Sequence, residues 1–280
     1  MENTAKPIFL VPTDFSEVCN NAMKQAANSA KEMGAKICLL HIINTDTRSY
    51  LRKENLETTV LEDKLAAMAE DLGKEYGIET CHQLKEGSIF TDIAEVAKDL
   101  DAKFIFLGTH GKSGMQHLTG SFAIKVITSA EMPTIVVQER PFNEAPKNIV
   151  LPVTSEAGPM EKTRYAAMVA KGFNAKIHLY QIGASEEEVG KAVQIMSEYF
   201  DKNDIKYDVT LARAGNFSKQ VIDFAVTNNS DMILIMTNPD KSWTKFILGS
   251  YDEEMIFNVP QIPVMCVNPR KKEWEKLRLL

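Results

Sequence analysis

Asp14 closes the apolar run Ile8-Phe9-Leu10-Val11-Pro12-Thr13, just before a stretch with helical spacing. A carboxylate where a strand opens into a loop can accept hydrogen bonds from an amino or hydroxyl group of a ligand. It can equally cap the helix that follows near Ser16 or Glu17, and the local sequence alone favours that simpler job. A second stretch, Leu107-Gly108-Thr109-His110-Gly111-Lys112-Ser113-Gly114, also leaves an apolar run. Glycines at a strand exit let backbone N–H groups approach a phosphate with no Cβ in the way. Gly120-Ser121 then opens a helical run through Ile124, Val126, Ile127 and Ala130. A helix start offers free N–H donors and the positive end of the helix dipole. Both halves of an anion cradle are therefore present in one short segment.

Several more specific chemistries are excluded. Gly111-Lys112-Ser113 matches the tail of a P-loop, but the position five before Gly111 is Phe106, so the motif fails. No GxGxxG follows the first strand-like run. His110 and His117 have no Cys, His or Glu companions at metal-ligand spacing. Ser113 does not sit in a G-x-S-x-G elbow, so no hydrolase nucleophile is read. Cys19, Cys38, Cys81 and Cys266 are scattered, without a CxxC pair, and read as reduced, mostly buried thiols.

The elements that must hold these residues read as strands and helices in alternation. Apolar, β-rich runs at 8–12, 37–43, 104–108 and 134–138 do not alternate cleanly, as expected of strands buried on both faces of a parallel sheet. Residues 17–33 place Val18, Ala22, Ala26 and Ala30 on one helical face, with Gly34 as a C-terminal stop. Residues 60–76 do the same with Leu61, Leu65, Met68 and Leu72, and 89–99 with Ile89, Ile93, Val96 and Ala97. Met68 reads as core packing, not as a soft-metal ligand. Such alternation predicts a doubly wound α/β unit with right-handed crossovers. Its ligand site lies beyond the carboxyl ends of the strands, where the strand order reverses.

The pattern occurs twice. Pro12 and Pro152 interrupt similar apolar runs at an offset of 140, and Ala35–Leu40 matches Ala175–Tyr180 at the same offset. The offset then falls to 128 for Phe104–Leu107 against Met232–Ile235, 129 for Gly120-Ser121 against Gly249-Ser250, and 130 for Pro133–Val137 against Pro263–Val267. Loop insertions account for the drift, mainly a longer segment around 44–64 in the first copy. Pro141, Asn143 and Pro146 mark a linker near 140–147. The 280 residues thus divide into domains at 1–140 and 147–269, followed by a charged tail at 270–280. With 44% hydrophobic residues each copy has the material for a core. A net charge of −6 gives no broad basic field, so nucleic acid is not an expected partner. Neither a membrane span nor an export signal is read, which points to the cytoplasm.

Asp14 after a Val-Pro strand end, Gly108-x-x-Gly111 and then Gly120-Ser121, and the proline-led strand from Pro133, together resemble the universal stress proteins, once per copy. The resemblance implies two tandem doubly wound parallel five-stranded sheets with helices on both faces, like the adenine nucleotide α-hydrolases. It implies that the copies pair through 133–138 and 263–268 as a pseudo-dimer within one chain, with a homodimer left open. In the ATP-binding branch the loop reads G-x2-G-x9-G-S/T; the present gap between Gly111 and Gly120 is eight residues. On that resemblance Asp14 contacts the adenine end of a ligand, and Pro12, Thr13 and Ile42 shape the base pocket. Leu107, Gly108, His110 and Gly111 line the ribose and phosphate path, and Gly120, Ser121 and Phe122 hold phosphates. The ligand implied is ATP, or ADP or AMP, with Mg2+ accompanying it. The second copy departs at Thr154, Met236 and Pro239, which match Asp14, Gly108 and Gly111, and keeps Gly249-Ser250. The expected function is a nucleotide-responsive stress regulator with at most slow hydrolysis, since no general base or arginine finger is placed at the loop. The alternative is a stress-induced scaffold with a vestigial pocket.

Overall fold

A computed structural model describes residues 6–110, 120–153, 159–182, 186–213, 215–237 and 250–268. The chain separates into two compact units, Met1–Ala145 and Pro146–Leu280. In the first unit the elements run β1 (Ile8–Pro12), α1 (Glu17–Met33), β2 (Lys36–Ile43), α2 (Thr45–Lys53), α3 (Thr59–Tyr76), β3 (Thr80–Glu86), α4 (Asp92–Asp99), β4 (Phe104–Gly108), α5 (Gly120–Ser129) and β5 (Thr134–Val137). The strands are parallel in the order β3-β2-β1-β4-β5. The order reverses between β1 and β4, so the carboxyl ends of these two strands, Pro12 and Gly108, flank the switch point.

Side-chain alternation along β3 shows that helices cover both faces. The Thr80 hydroxyl donates to the Ala69 carbonyl and His82 meets Glu62, both on α3. Lys85, of opposite parity, pairs with Asp92 and Glu95 on α4. Between the layers Phe9, Phe104 and Phe106 are fully buried, with Phe9 and Phe104 edge-to-face at 5.2 Å.

The helical face read from residues 17–33 is the buried one: Val18, Ala22, Ala26 and Ala30 are at most 1% exposed. Gly34 ends the helix at φ 63°, its N–H donating to the Ala30 carbonyl. The alanine stripe lets α1 lie close on the sheet. A Cβ added to Gly108 would stand 2.7 Å from the Val18 carbonyl oxygen and 2.9 Å from Cys19 Cα. Gly108 is therefore glycine because a helix backbone presses on it, at an ordinary strand conformation.

Three elements differ from the sequence reading. β3, with the sequence Thr80-Cys81-His82-Gln83-Leu84-Lys85-Glu86, carries no apolar run because it is an edge strand and stays partly exposed along its length. α4 begins at Asp92, not 89, because Asp92 itself accepts from the Ser88 N–H and starts the turn there. The insertion at 44–64 is not all loop. It holds α2, capped by the Asn44 side chain, which accepts from Asp46 and Thr47 N–H groups at 3.0 and 2.9 Å. Met68 in α3 is half-buried, and Ala69 takes the inward place beside Leu65 and Leu72.

The second unit contains β6 (Asn148–Val153), α6 (Pro159–Phe173), β7 (Lys176–Ile182), α7 (Glu186–Lys202), β8 (Tyr207–Ala212), α8 (Phe217–Thr227), β9 (Met232–Met236), α9 (Ser250–Ile256) and β10 (Val264–Val267). Its strands are also parallel, in the order β8-β7-β6-β9-β10. Strand for strand it repeats the first unit; among the described residues it shows no counterpart of α2. The tail 270–280 lies outside the described residues.

Candidate functional site

The site grows out of the loop between β1 and α1. The Thr13 N–H still donates to the Leu40 carbonyl at 2.8 Å, as if the strand continued. Two side chains then bend the chain: Thr13 Oγ1 accepts from the Phe15 N–H and Asp14 Oδ1 from the Ser16 N–H, each at 3.0 Å. These turns hold Phe15 at φ 66°, a left-handed conformation that costs a non-glycine residue roughly 1–2 kcal/mol. The strain is offset by what the Phe15 ring meets. It lies 4.6 Å from the His41 ring, under the Lys64 ammonium at 4.2 Å, and against the Ile43, Leu51 and Leu61 cluster.

Behind this loop lies a cavity of about 450 Å³, within the range of small-molecule sites. Its floor is Pro12–Phe15 and Leu40–Ile42; its outer wall is the insertion, through Tyr50, Leu56, Val60, Leu61 and Lys64. A second hollow of about 320 Å³ shares Asn44, Asp46 and Ile89 with it and is bounded by Gly87, Ser88, Phe90 and Phe122. Phe122 stacks on Phe90 at 5.1 Å. It belongs to the first turn of α5, whose leading N–H groups have no partner within the helix.

Asp14 and His41 supply the cavity with acceptors. Burial pushes the Asp14 carboxyl up, but hydrogen bonds from Ser16 and Cys19 outweigh it and leave the pKa below the ordinary value. Asp14 is therefore ionised at neutral pH and accepts only. His41 is 6% exposed, and its Nδ1 lies 2.7 Å from the Thr13 carbonyl oxygen. A carbonyl can only accept, so Nδ1 carries the proton and Nε2 is a bare acceptor. Among the described residues Nε2 has no partner. Burial lowers the His41 pKa, although the Thr13 carbonyl and Asp14 pull it back up.

That shift has a sign in stability. The unfolded chain takes up a proton on His41 near pH ~6.5, whereas the folded chain resists until lower pH. The stability His41 contributes is present above ~6.5 and is lost as pH falls through its folded value. Urea unfolding at about pH 7.5 and 5.5 is expected to show a smaller acid loss in His41→Gln than in the wild type. Equal losses would show that His41 charges freely.

The cavity brings Pro12, Thr13, Asp14 and Ile42 together, and Phe122 lines the adjoining hollow. Leu107 is fully buried core, and Gly108 faces the α1 backbone. His110 lies 3.3 Å from Glu139 instead of lining either hollow. Gly111 and His117 lie outside the described residues; Gly120 and Ser121 open α5 as a backbone turn, their side chains outside the description. The sequence reading omitted Phe15, His41 and the whole outer wall. The signal for the wall was in plain view, because the drop in repeat offset marks the inserted segment.

In the second unit the corresponding strand end is occupied. Lys162 of α6, at the position of Ala22 by the 140-residue offset, donates to the Pro152 carbonyl. Burial pulls its ammonium down to a pKa of about 8, against the pull of Asp252. Met236 stands where the first unit has Gly108, whereas Thr154 and Pro239 lie outside the described residues.

Comparison with known proteins places this architecture. The family model described as the universal stress protein family matches residues 7–138. The universal stress protein MJ0531 of Methanocaldococcus jannaschii is 31% identical over 145 residues, covering 49% of this chain and 85% of the relative. Universal stress protein G of Escherichia coli O157:H7 is 26% identical over 138 residues, covering 46% of this chain and 96% of the relative. Among solved structures, a universal stress protein from Archaeoglobus fulgidus matches with a TM-score of 0.73 at 20% identity, over 93% of this chain and 98% of its own. That last match concerns the fold, and it extends through both units. Sequence and fold together lead to one assignment: the chain belongs to the universal stress protein family.

Proposed function

We propose that the first unit binds an adenine nucleotide, ATP foremost, and that the chain works as a nucleotide-responsive regulator, not as a fast catalyst. One observation carries this reading: a ligand-sized cavity at the carboxyl ends of β1 and β2, lined by the acceptors Asp14 and His41 and sharing Asn44, Asp46 and Ile89 with a hollow that reaches Phe122 of α5. Adenine offers an exocyclic amino group to acceptors and a flat apolar ring to Pro12 and Ile42. Phosphates extending toward α5 would meet its leading N–H groups and a positive dipole. Asp14 sits at the base end of such a pose, where a carboxylate recognises and does not activate water. Among the described residues no three His, Cys, Asp or Glu side chains gather as a metal site. Mg2+ arriving with ATP would be carried by the nucleotide's own phosphate oxygens.

The test is calorimetric titration of the full chain with ATP, ADP, AMP and GTP, after acid release of any co-purified nucleotide and its absorbance at 260 nm. ATP is expected to bind once per chain, to lose its affinity in Gly111→Val, and to bind Thr154→Ala as it binds the wild type. Absence of binding by every adenine nucleotide would sink this reading and leave an interaction protein with an unused pocket. Unchanged affinity in Gly111→Val would remove the phosphate loop from it.

A further inference from the structure

Cys38 and Cys81 were read from the sequence as unrelated thiols 43 residues apart. The fold makes them neighbours: they are register partners on the parallel strands β2 and β3. Register partners project to the same face of a sheet, and strands lie about 4.8 Å apart, inside the ~4.4–6.8 Å Cα separation of disulfides. We propose that Cys38 and Cys81 form a dithiol site that hydroperoxides oxidise to an intrachain disulfide.

The two thiols have complementary settings. Cys38 is buried, and Cys81 is partly exposed on the edge strand, within reach of a small oxidant. The neighbouring Cys38 thiol lowers the Cys81 pKa below the ordinary thiol value, and Lys36 and His82 add to the effect despite desolvation. The Cys81 thiol beside it, together with burial, pushes the Cys38 thiol up. Cys81 is thus the attacking thiolate and Cys38 the resolving thiol. Cys19 serves as an internal reference: it is buried beside Asp14, with a pKa raised to about 12, first by burial.

The step balances. The Cys81 thiolate attacks one oxygen of hydrogen peroxide; the S–O bond forms, the O–O bond breaks, and the departing hydroxide takes a proton to become water. Sulfur is oxidised by two electrons and the peroxide oxygen reduced. Cys38 sulfur then attacks Cys81 sulfur; the S–S bond forms, the S–O bond breaks, and hydroxide leaves with the Cys38 proton as a second water. The new bond would join the two strands that bracket α2 and α3, the segment carrying the cavity's outer wall. Oxidation would therefore tie together both ends of that wall.

The test treats the reduced full-length protein with a small excess of hydrogen peroxide, followed by non-reducing digestion and mass spectrometry. The expected result is a Cys38–Cys81 linked peptide and a chain lighter by two hydrogens, reversed by a thiol reductant. In Cys38→Ser, dimedone is expected to trap a sulfenic acid on Cys81 at a rate at least tenfold above any label on Cys19. The wild-type arm decides the matter even if a variant fails to fold. No linked peptide, a different pairing, or oxidation of Cys81 straight to sulfinic acid with Cys38 still reduced would each overturn the proposal.

Discussion

Gly108→Ala is expected to lower the thermal midpoint of the protein by roughly 10 °C, before any ligand is considered. The reason is steric and local. The alanine methyl would stand 2.7 Å from the Val18 carbonyl oxygen and 2.9 Å from both Cys19 Cα and Cys19 N, all backbone atoms of α1. Backbone in the first turns of a helix cannot swing aside as a side-chain tip can, so α1 must move off β4 or the strand must bend. Overpacking of a dense core costs about 1–3 kcal/mol, and a clash with backbone belongs at the top of that range. About 3 kcal/mol is a large share of the ~5–15 kcal/mol that keeps a domain folded. At roughly 3–4 °C per kcal/mol for a unit of this size, the midpoint falls by the amount stated. Calorimetry on the full chain without nucleotide measures it.

The result separates two reasons for one glycine. If Gly108 were there only to let a phosphate approach, alanine would weaken ATP binding and leave the ligand-free midpoint in place, within about 1 °C. The resemblance assigned Gly108 to the phosphate path, and the α1 contact supplies a reason that needs no ligand.

The same contrast explains how much of the molecule could be read from the chain. The strands β1, β2, β4 and β5 were legible because burial demands continuous apolar runs. α1 was legible because a close-packed helix needs its alanines on one stripe and a glycine to stop it. β3 was hidden, since an edge strand carries polar residues at half-exposed positions and shows no apolar run. Asp14, Pro12 and Thr13 were found because a strand end in this topology must lie near the ligand crevice. His41 and Phe15 were missed for a different reason. A histidine within a buried strand looks like core, and nothing in sequence tells that its Nε2 lacks a partner. Phe15 shows its part only through a left-handed backbone angle and the ring it covers. The Cys38–Cys81 pair depends on register, which spacing along the chain does not reveal.

Asp14 offers the second large effect, and its two possible jobs can be separated by choosing the substitution. Its Oδ1 already accepts from the Ser16 N–H, which is the turn that leads into α1. Asp14→Ala removes that acceptor together with the charge, so it should cost about 1 kcal/mol of stability, as lost helix-start acceptors do. It should also weaken ATP binding by about 10- to 150-fold, the equivalent of the ~1.5–3 kcal/mol carried by a hydrogen bond to a charged group. Asp14→Asn keeps an oxygen for Ser16 and loses only the carboxylate. Its thermal midpoint should match the wild type while its ATP affinity still falls at least about tenfold, because an amide presents N–H donors where the ligand also brings donors. Calorimetric titration beside thermal unfolding reads both quantities on one preparation. If Asp14→Asn binds ATP as tightly as the wild type, the carboxylate serves only the turn, and recognition of the base must rest on His41 and the backbone of β2.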